Sequence, residues 1–126
     1  MANPKIYRGY RRHGPAPLDQ ASTQGGACIV TVEDAHGKRP LDPRQEIHNH
    51  SPSGFEWGYG GSGPGQLALA LVADACGVAK AHPAIYQEYK RRVVVSLPAD
   101  GWMLTQAQVQ QVVAEIVRES GGGVID

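Results

Sequence analysis

Three groups of residues in this chain have the types and spacing to do chemistry. In the first, His48 and His50 would share one face of an extended segment, and Glu56 or Glu46 would complete a three-ligand metal site with an open position. A metal held there would polarise a phosphoryl oxygen or activate water, as in a small hydrolase or nuclease. Ser51, Ser53 and Ser62 lie near the same histidines and Glu56 in sequence, but a nucleophilic hydroxyl needs a base and an orienting group placed in space. The letters His48-Asn49-His50 spell a nuclease motif whose residues are dispersed over a hairpin and a helix, so the tripeptide is a coincidence. The competing reading is two exposed or hydrogen-bonding histidines.

The second group is Phe55-Glu56-Trp57-Gly58-Tyr59-Gly60-Gly61-Ser62-Gly63-Pro64-Gly65-Gln66. Gly58, Gly60 and Gly63 have G-x-G-x-x-G spacing between an extended segment and a helix, where free N–H groups and the helix dipole can hold an anion. Trp57, Tyr59, Gly60, Gly61, Ser62 and Gly63 are therefore the candidates to face a small anionic ligand. A dinucleotide fold needs a βαβ unit with an acidic residue about twenty positions on, which is missing. A phosphate loop needs a lysine and a hydroxyl after the last glycine, where Pro64-Gly65-Gln66 stand instead. The competing reading is structural: the glycines let the backbone turn and pack close beneath an apolar helix, with Ser62 as its capping hydroxyl.

The third group is Lys5, Arg8, Arg11 and Arg12, which precede the first acidic residue, Asp19, and interleave with Tyr7 and Tyr10. Basic and aromatic side chains together make a nucleic-acid contact, and arginines on an edge strand also guard against sheet-to-sheet aggregation. The whole molecule supplies no field to help, because 12 basic and 12 acidic side chains cancel.

These residues need elements to position them. A chain of 126 residues fits one domain, 1–126, and 41% apolar with 19% charged residues is ordinary for a globular protein. Cys28 and Cys76 sit among small apolar neighbours, as buried free thiols do. No charged-then-apolar leader opens the chain, and the longest apolar run, Leu67 to Ala73, is far short of the ~20 residues of a membrane span. The expectation is cytoplasmic residence, no membrane partner and no cofactor.

Ile6 to Tyr10 and Cys28 to Val32 read as strands, separated by loop chemistry at Gly14-Pro15-Ala16-Pro17 and Ser22 to Gly26. Asp34-Ala35-His36-Gly37 is a turn from which Lys38 to Leu41 returns antiparallel. Alternation of Phe55, Trp57 and Tyr59 puts three rings on one buried face. Gln66 to Cys76 is apolar nearly all round and so central, with Pro64 in its first turn and Gly77 just past its end. A second helix runs from Pro83 to about Leu97, stopped by Pro98. A third follows a capping box, Thr105-Gln106-Ala107-Gln108, with Val109, Val112, Val113, Ile116 and Val117 as its core stripe, and ends at Gly121-Gly122-Gly123.

The run from His50 through Pro64, followed by Gln66-Leu67-Ala68-Leu69-Ala70-Leu71, resembles a family of small uncharacterised proteins, a domain of unknown function carried by bacteria, archaea and their phages and plasmids. The resemblance extends to the early tyrosine-arginine strand, the Tyr86-to-Pro98 segment and Trp102 to Thr105. It implies no activity, cofactor or catalytic residue. Association with mobile elements implies, by analogy, a role in host-virus conflict or plasmid maintenance. Gly65 stands where alanine is expected in such sequences, which would loosen the helix's first turn.

The expected architecture is α+β: a small, mostly antiparallel sheet from the N-terminal half, packed against three helices from the C-terminal half, with Gln66 to Cys76 innermost. The leading functional expectation is a non-enzymatic binding or regulatory module for a protein, nucleic acid or nucleotide. A small metal-assisted hydrolase and a structural protein that assembles with itself or a partner are the alternatives.

Overall fold

The computed structural model describes residues 4–11, 28–51 and 54–120. The expected loops at Gly14 to Pro17 and Ser22 to Gly26, together with Arg12, Ser53 and the Gly121-Gly122-Gly123 stop, lie outside them. The elements run β1 (Ile6–Arg11), β2 (Cys28–Asp34), β3 (Gly37–Pro40), α1 (Ser62–Cys76), α2 (Pro83–Arg92), β4 (Gly101–Thr105) and α3 (Gln106–Glu119). Four antiparallel strands in the order β3-β2-β1-β4 carry three helices, an α+β fold.

The hairpin forms where its turn residues stand: Gly37 supplies φ +117, and the Asp34 carboxylate accepts from the His36 N–H at 2.9 Å. One strand departs from expectation. β4 comes from the C-terminal half and pairs with β1, Gly9 opposite Trp102, so β1 is a central strand rather than an edge. Gly9 is required there, since a Cβ at that position would overlap the Trp102 indole.

The sheet has two unlike faces. Tyr7, Val30, Val32 and Trp102 point inward to the helices and are buried, while the outer face carries Arg8, Tyr10, Ile29, Thr31 and Met103 in register. α1 is the innermost helix: it buries twelve of its 15 residues, and Leu67, Leu69 and Leu71 are each fully enclosed. Each of those leucines contributes roughly 2 kcal/mol by leaving water. The helix's one charged side chain, Asp74, accepts from the Tyr7 hydroxyl at 2.8 Å and Lys5 Nζ at 3.2 Å, fastening α1 to the start of β1. Burial, with Asp74 adding to it, pushes the Tyr7 phenol well above its ordinary pKa.

The helix bounds differ from expectation in two places. α1 begins at Ser62, ahead of Gln66, with Pro64 in its first turn as expected, and the N-cap is Gly61 with no side-chain cap bond, which removes Ser62 from that role. α2 ends at Arg92 and a 3₁₀ turn follows at Val94–Ser96, because Val93 leaves helical ψ/φ space and the Val94 carbonyl accepts from the Gly58 N–H at 3.0 Å. α3 has the capping box in full: Thr105 Oγ1 accepts from Gln108 N–H at 3.1 Å, and Gln108 Oε1 from Thr105 N–H at 2.8 Å. No helix among the described residues is long and apolar enough to cross a membrane.

Candidate functional site

Each candidate group takes a definite place. The glycine stretch is a close-packed bend. Gly58 has φ +89, which ends the two-residue alternation of the aromatic run. The three rings therefore part company: Trp57 is buried at 1% exposure, Phe55 is half-buried and Tyr59 is 52% exposed. Trp57 faces the core, its Nε1 donating to the Ala99 carbonyl at 3.2 Å and its ring meeting Trp102 edge-on at 5.6 Å. A Cβ on Gly63 would stand 2.7 Å from Glu56 Cβ, so the absence of a side chain lets α1 start against the preceding segment. What stays at the surface is Gly58, Tyr59, Gly60 and Ser62, with Gly61 half-buried and Gly63 buried.

Glu56 does not join the histidines. Arg11 donates to it through Nη2 at 3.1 Å and Nη1 at 3.4 Å, and the Cys28 thiol donates to it at 3.2 Å. The Arg11 guanidinium also donates Nη1 to Cys28 Sγ at 2.8 Å and Nε to the Ala99 carbonyl at 2.7 Å, and lies 4.9 Å from the Trp57 ring centroid. Burial opposes ionisation of Glu56, yet the Arg11 and Cys28 hydrogen bonds outweigh it and hold the carboxyl below its ordinary pKa. Burial first, then the Glu56 hydrogen bond, pushes the Cys28 thiol up to about 12. Such a thiol is protonated at neutral pH and is a weak nucleophile.

His48 and His50 stack with centroids 4.0 Å apart, and His50 Nε2 is 2.8 Å from the Tyr86 hydroxyl. Burial, then the neighbouring His48 and Lys90, lowers the His50 pKa below the ordinary 6.5. Among the described residues no group of three His, Cys, Asp or Glu side chains is placed to hold a metal ion, so His48, His50 and Glu56 do not form the three-ligand set. Ser51 is buried, and its backbone is engaged at both ends, its N–H by Gln66 and its carbonyl by Gln45.

The basic N-terminal group is divided by the pleat. Lys5 is paired with Asp74 and Arg11 with Glu56. Arg8 is exposed on the outer face and has no hydrogen-bond or ion-pair partner among the described residues. Beside it stand Tyr10, 42% exposed, Met103, 51% exposed, half-buried Ile29, and Thr31, whose buried hydroxyl has no partner among the described residues. Glu33 and Lys38 oppose each other farther along the same face.

Two features carry no earlier expectation. Gln66 is fully buried, and its amide makes four bonds: Oε1 accepts from His50 N–H at 2.7 Å and Ser51 N–H at 3.0 Å, and Nε2 donates to the Pro43 carbonyl at 2.6 Å and the His48 carbonyl at 3.0 Å. A glutamine in an alanine-leucine run was the only hint of it. A largely apolar cleft of about 510 Å³ also opens between the end of α1 and α3, lined by Cys76, Val113, Ala114 and Val117 together with Lys80, Gln110 and Arg118.

Residues 7–115 match the model of a family of unknown function, DUF6166. Neither a curated protein nor a solved structure matches the chain significantly. The protein belongs to that family.

Proposed function

We propose that this family member is a non-enzymatic binding module whose working surface is the outer face of the sheet, and that it takes single-stranded nucleic acid there. One observation carries the reading: of the N-terminal cations, Lys5 and Arg11 are held in structural pairs, whereas Arg8 is exposed beside Tyr10 and Met103. A sheet face with an aromatic ring, a thioether and a guanidinium unpaired among the described residues offers base stacking together with one phosphate contact.

The non-enzymatic part of the proposal is supported by how the reactive groups are used. Glu56 anchors Arg11, Asp74 anchors Lys5 and Tyr7, and His50 meets Tyr86. Cytoplasmic residence and a role in the life of mobile elements belong to the same proposal. They rest on composition and on the family resemblance.

The test is fluorescence anisotropy of a short labelled single-stranded oligonucleotide against salt. Arg8→Ala should weaken binding and reduce the salt slope by about 1, and Tyr10→Ala should cost about 1–3 kcal/mol. Tyr59→Ala, at the glycine bend, should leave affinity unchanged. Loss of binding in Tyr59→Ala with Arg8→Ala unaffected would move the site to the bend. Absence of binding at every salt concentration would reject nucleic acid as the ligand.

A further inference from the structure

The two edges of the sheet are guarded very differently. Hydrogen-bond direction in each follows from one bond and the period of two. In the β1–β4 ladder Gln106 N–H donates to the Lys5 carbonyl, which makes Lys5 and Gln106 a hydrogen-bonded pair in the register that sets Ile6 opposite Thr105. Trp102 and Leu104 then point their main-chain groups at β1, while Gly101, Met103 and Thr105 point theirs at the free edge. By the same rule Leu41 N–H, donating to the Val30 carbonyl, leaves Lys38 and Pro40 facing the free edge of β3.

The β3 edge therefore has no donor at Pro40 and carries the charges of Lys38 and Arg39, which is how natural sheets block further pairing. The β4 edge, Gly-Trp-Met-Leu-Thr, has no charge and no proline. Thr105 N–H is taken by Gln108 Oε1. Gly101 and Met103 are left with main-chain groups that no described residue engages.

We infer that β4 is a self-association edge, and that the protein forms a two-fold dimer by antiparallel pairing of β4 with β4 of a second copy. A two-fold axis at Trp102 sets Gly101 of each chain opposite Met103 of the other. The two N–H and two C=O groups in each copy then satisfy one another in four hydrogen bonds, the whole of the open run. The side chains agree with this register, since Met103, half-exposed on the outer face, meets a glycine with no side chain to oppose it. β4 itself brings no charge to the seam, and 12 basic against 12 acidic residues leave the chain no net charge to repel a second copy. The two sheets become one of eight strands, closing the unguarded edges and leaving only the β3 edges outside.

Light scattering on eluting protein, loaded from about 1 to about 100 µM, reads the mass directly, because a reversible dimer is populated by mass action. The expected result is twice the chain mass at the upper end, with the Gly101 and Met103 amides exchanging more slowly with deuterium as concentration rises. Met103→Pro removes the central donor at a place where an edge strand tolerates proline, and Met103→Lys adds a charge to an exposed side chain. Each should weaken the dimer at least tenfold with an unchanged circular dichroism spectrum, while Lys38→Ala on β3 should not. Should Met103→Pro fail to fold, Met103→Lys decides alone. A parent that stays monomeric throughout, or a dimer of unchanged dissociation constant in Met103→Lys, overturns the inference.

Discussion

Two glycines in the first turns of α1, two positions apart and both buried, should respond in opposite directions to the same added methyl group. At Gly65 a Cβ would find His50 Cγ at 3.9 Å and Lys90 Cδ at 4.0 Å, ordinary contact distances. Alanine there removes backbone freedom from the unfolded chain, worth about 0.4–1 kcal/mol, and buries one more carbon in a space that accepts it. Gly65→Ala is expected to stabilise by about 1 kcal/mol. At Gly63 the same atom would meet Glu56 Cβ at 2.7 Å and both Glu56 Cγ and the Glu56 backbone nitrogen at 3.2 Å. Backbone cannot swing aside as the end of a side chain can, and overpacking of this kind costs about 1–3 kcal/mol. That exceeds the entropic gain, so Gly63→Ala should destabilise by about 1–2 kcal/mol, with added loss wherever the shift pulls Glu56 from Arg11. Urea unfolding followed by circular dichroism and tryptophan fluorescence measures both. A Gly63→Ala protein as stable as the parent would refute close packing as the reason for that glycine, and a destabilised Gly65→Ala protein would refute the account of α1's first turns.

Replacing Gln66 by Leu leaves two N–H and two C=O groups of the 43–51 loop without their buried partner, and at about 1–3 kcal/mol for each orphaned group the loss should exceed about 3 kcal/mol in urea unfolding. The His50 pKa is lower folded than unfolded, so the unfolded chain binds the proton first and stability should fall as pH drops below about 6.5; His50→Gln should flatten that part of the curve. Glu56 has a lowered folded pKa as well, so its contribution is present above its ordinary 4.5 and is lost as pH falls through the folded value. Cys28, pushed up to about 12, and Cys76, to about 11, should resist iodoacetamide at neutral pH until the protein unfolds. Glu56→Gln removes a negative neighbour of Cys28, and mass spectrometry should show faster alkylation at that residue alone.

What could be read from sequence is what is determined nearby. The Asp34-to-Gly37 turn, the capping box at Thr105 and the apolar helix ending before Gly77 each depend on residues within a few positions, and each stands where the residue pattern puts it. β4 was not legible, because five residues after a proline-containing loop become a strand only when β1, nearly the whole chain away, offers an edge. The end of α2 was missed for a similar reason: the Val94 carbonyl is claimed by Gly58 from a distant segment. Of the candidate side chains, alternation placed Trp57 correctly in the core but carried Tyr59 with it, since the positive φ of Gly58 that turns the chain is invisible in the spacing. Pairing of Lys5 and Arg11 could not be foreseen either, because Asp74 and Glu56 reach them only through the fold.

The Gln66 amide has a consequence for how the molecule opens. Its four partners lie 15 to 23 residues earlier in the chain, so the turn bonds inside the 43–51 loop, Ile47 N–H to the Arg44 carbonyl at 3.0 Å and Gln45 Nε2 to the Ser51 carbonyl at 2.9 Å, are tied to the core only once α1 is in place. One side chain thus acts for the loop as a neighbouring strand would, offering an acceptor and two donors at the centre of the bend. Breaking those bonds requires all of them to part nearly together, which makes the loop one cooperative unit rather than a fraying segment. Its excursions would be rare, all-or-none events in which the helix remains folded and the His50 and Ser51 amides meet solvent at the same moment.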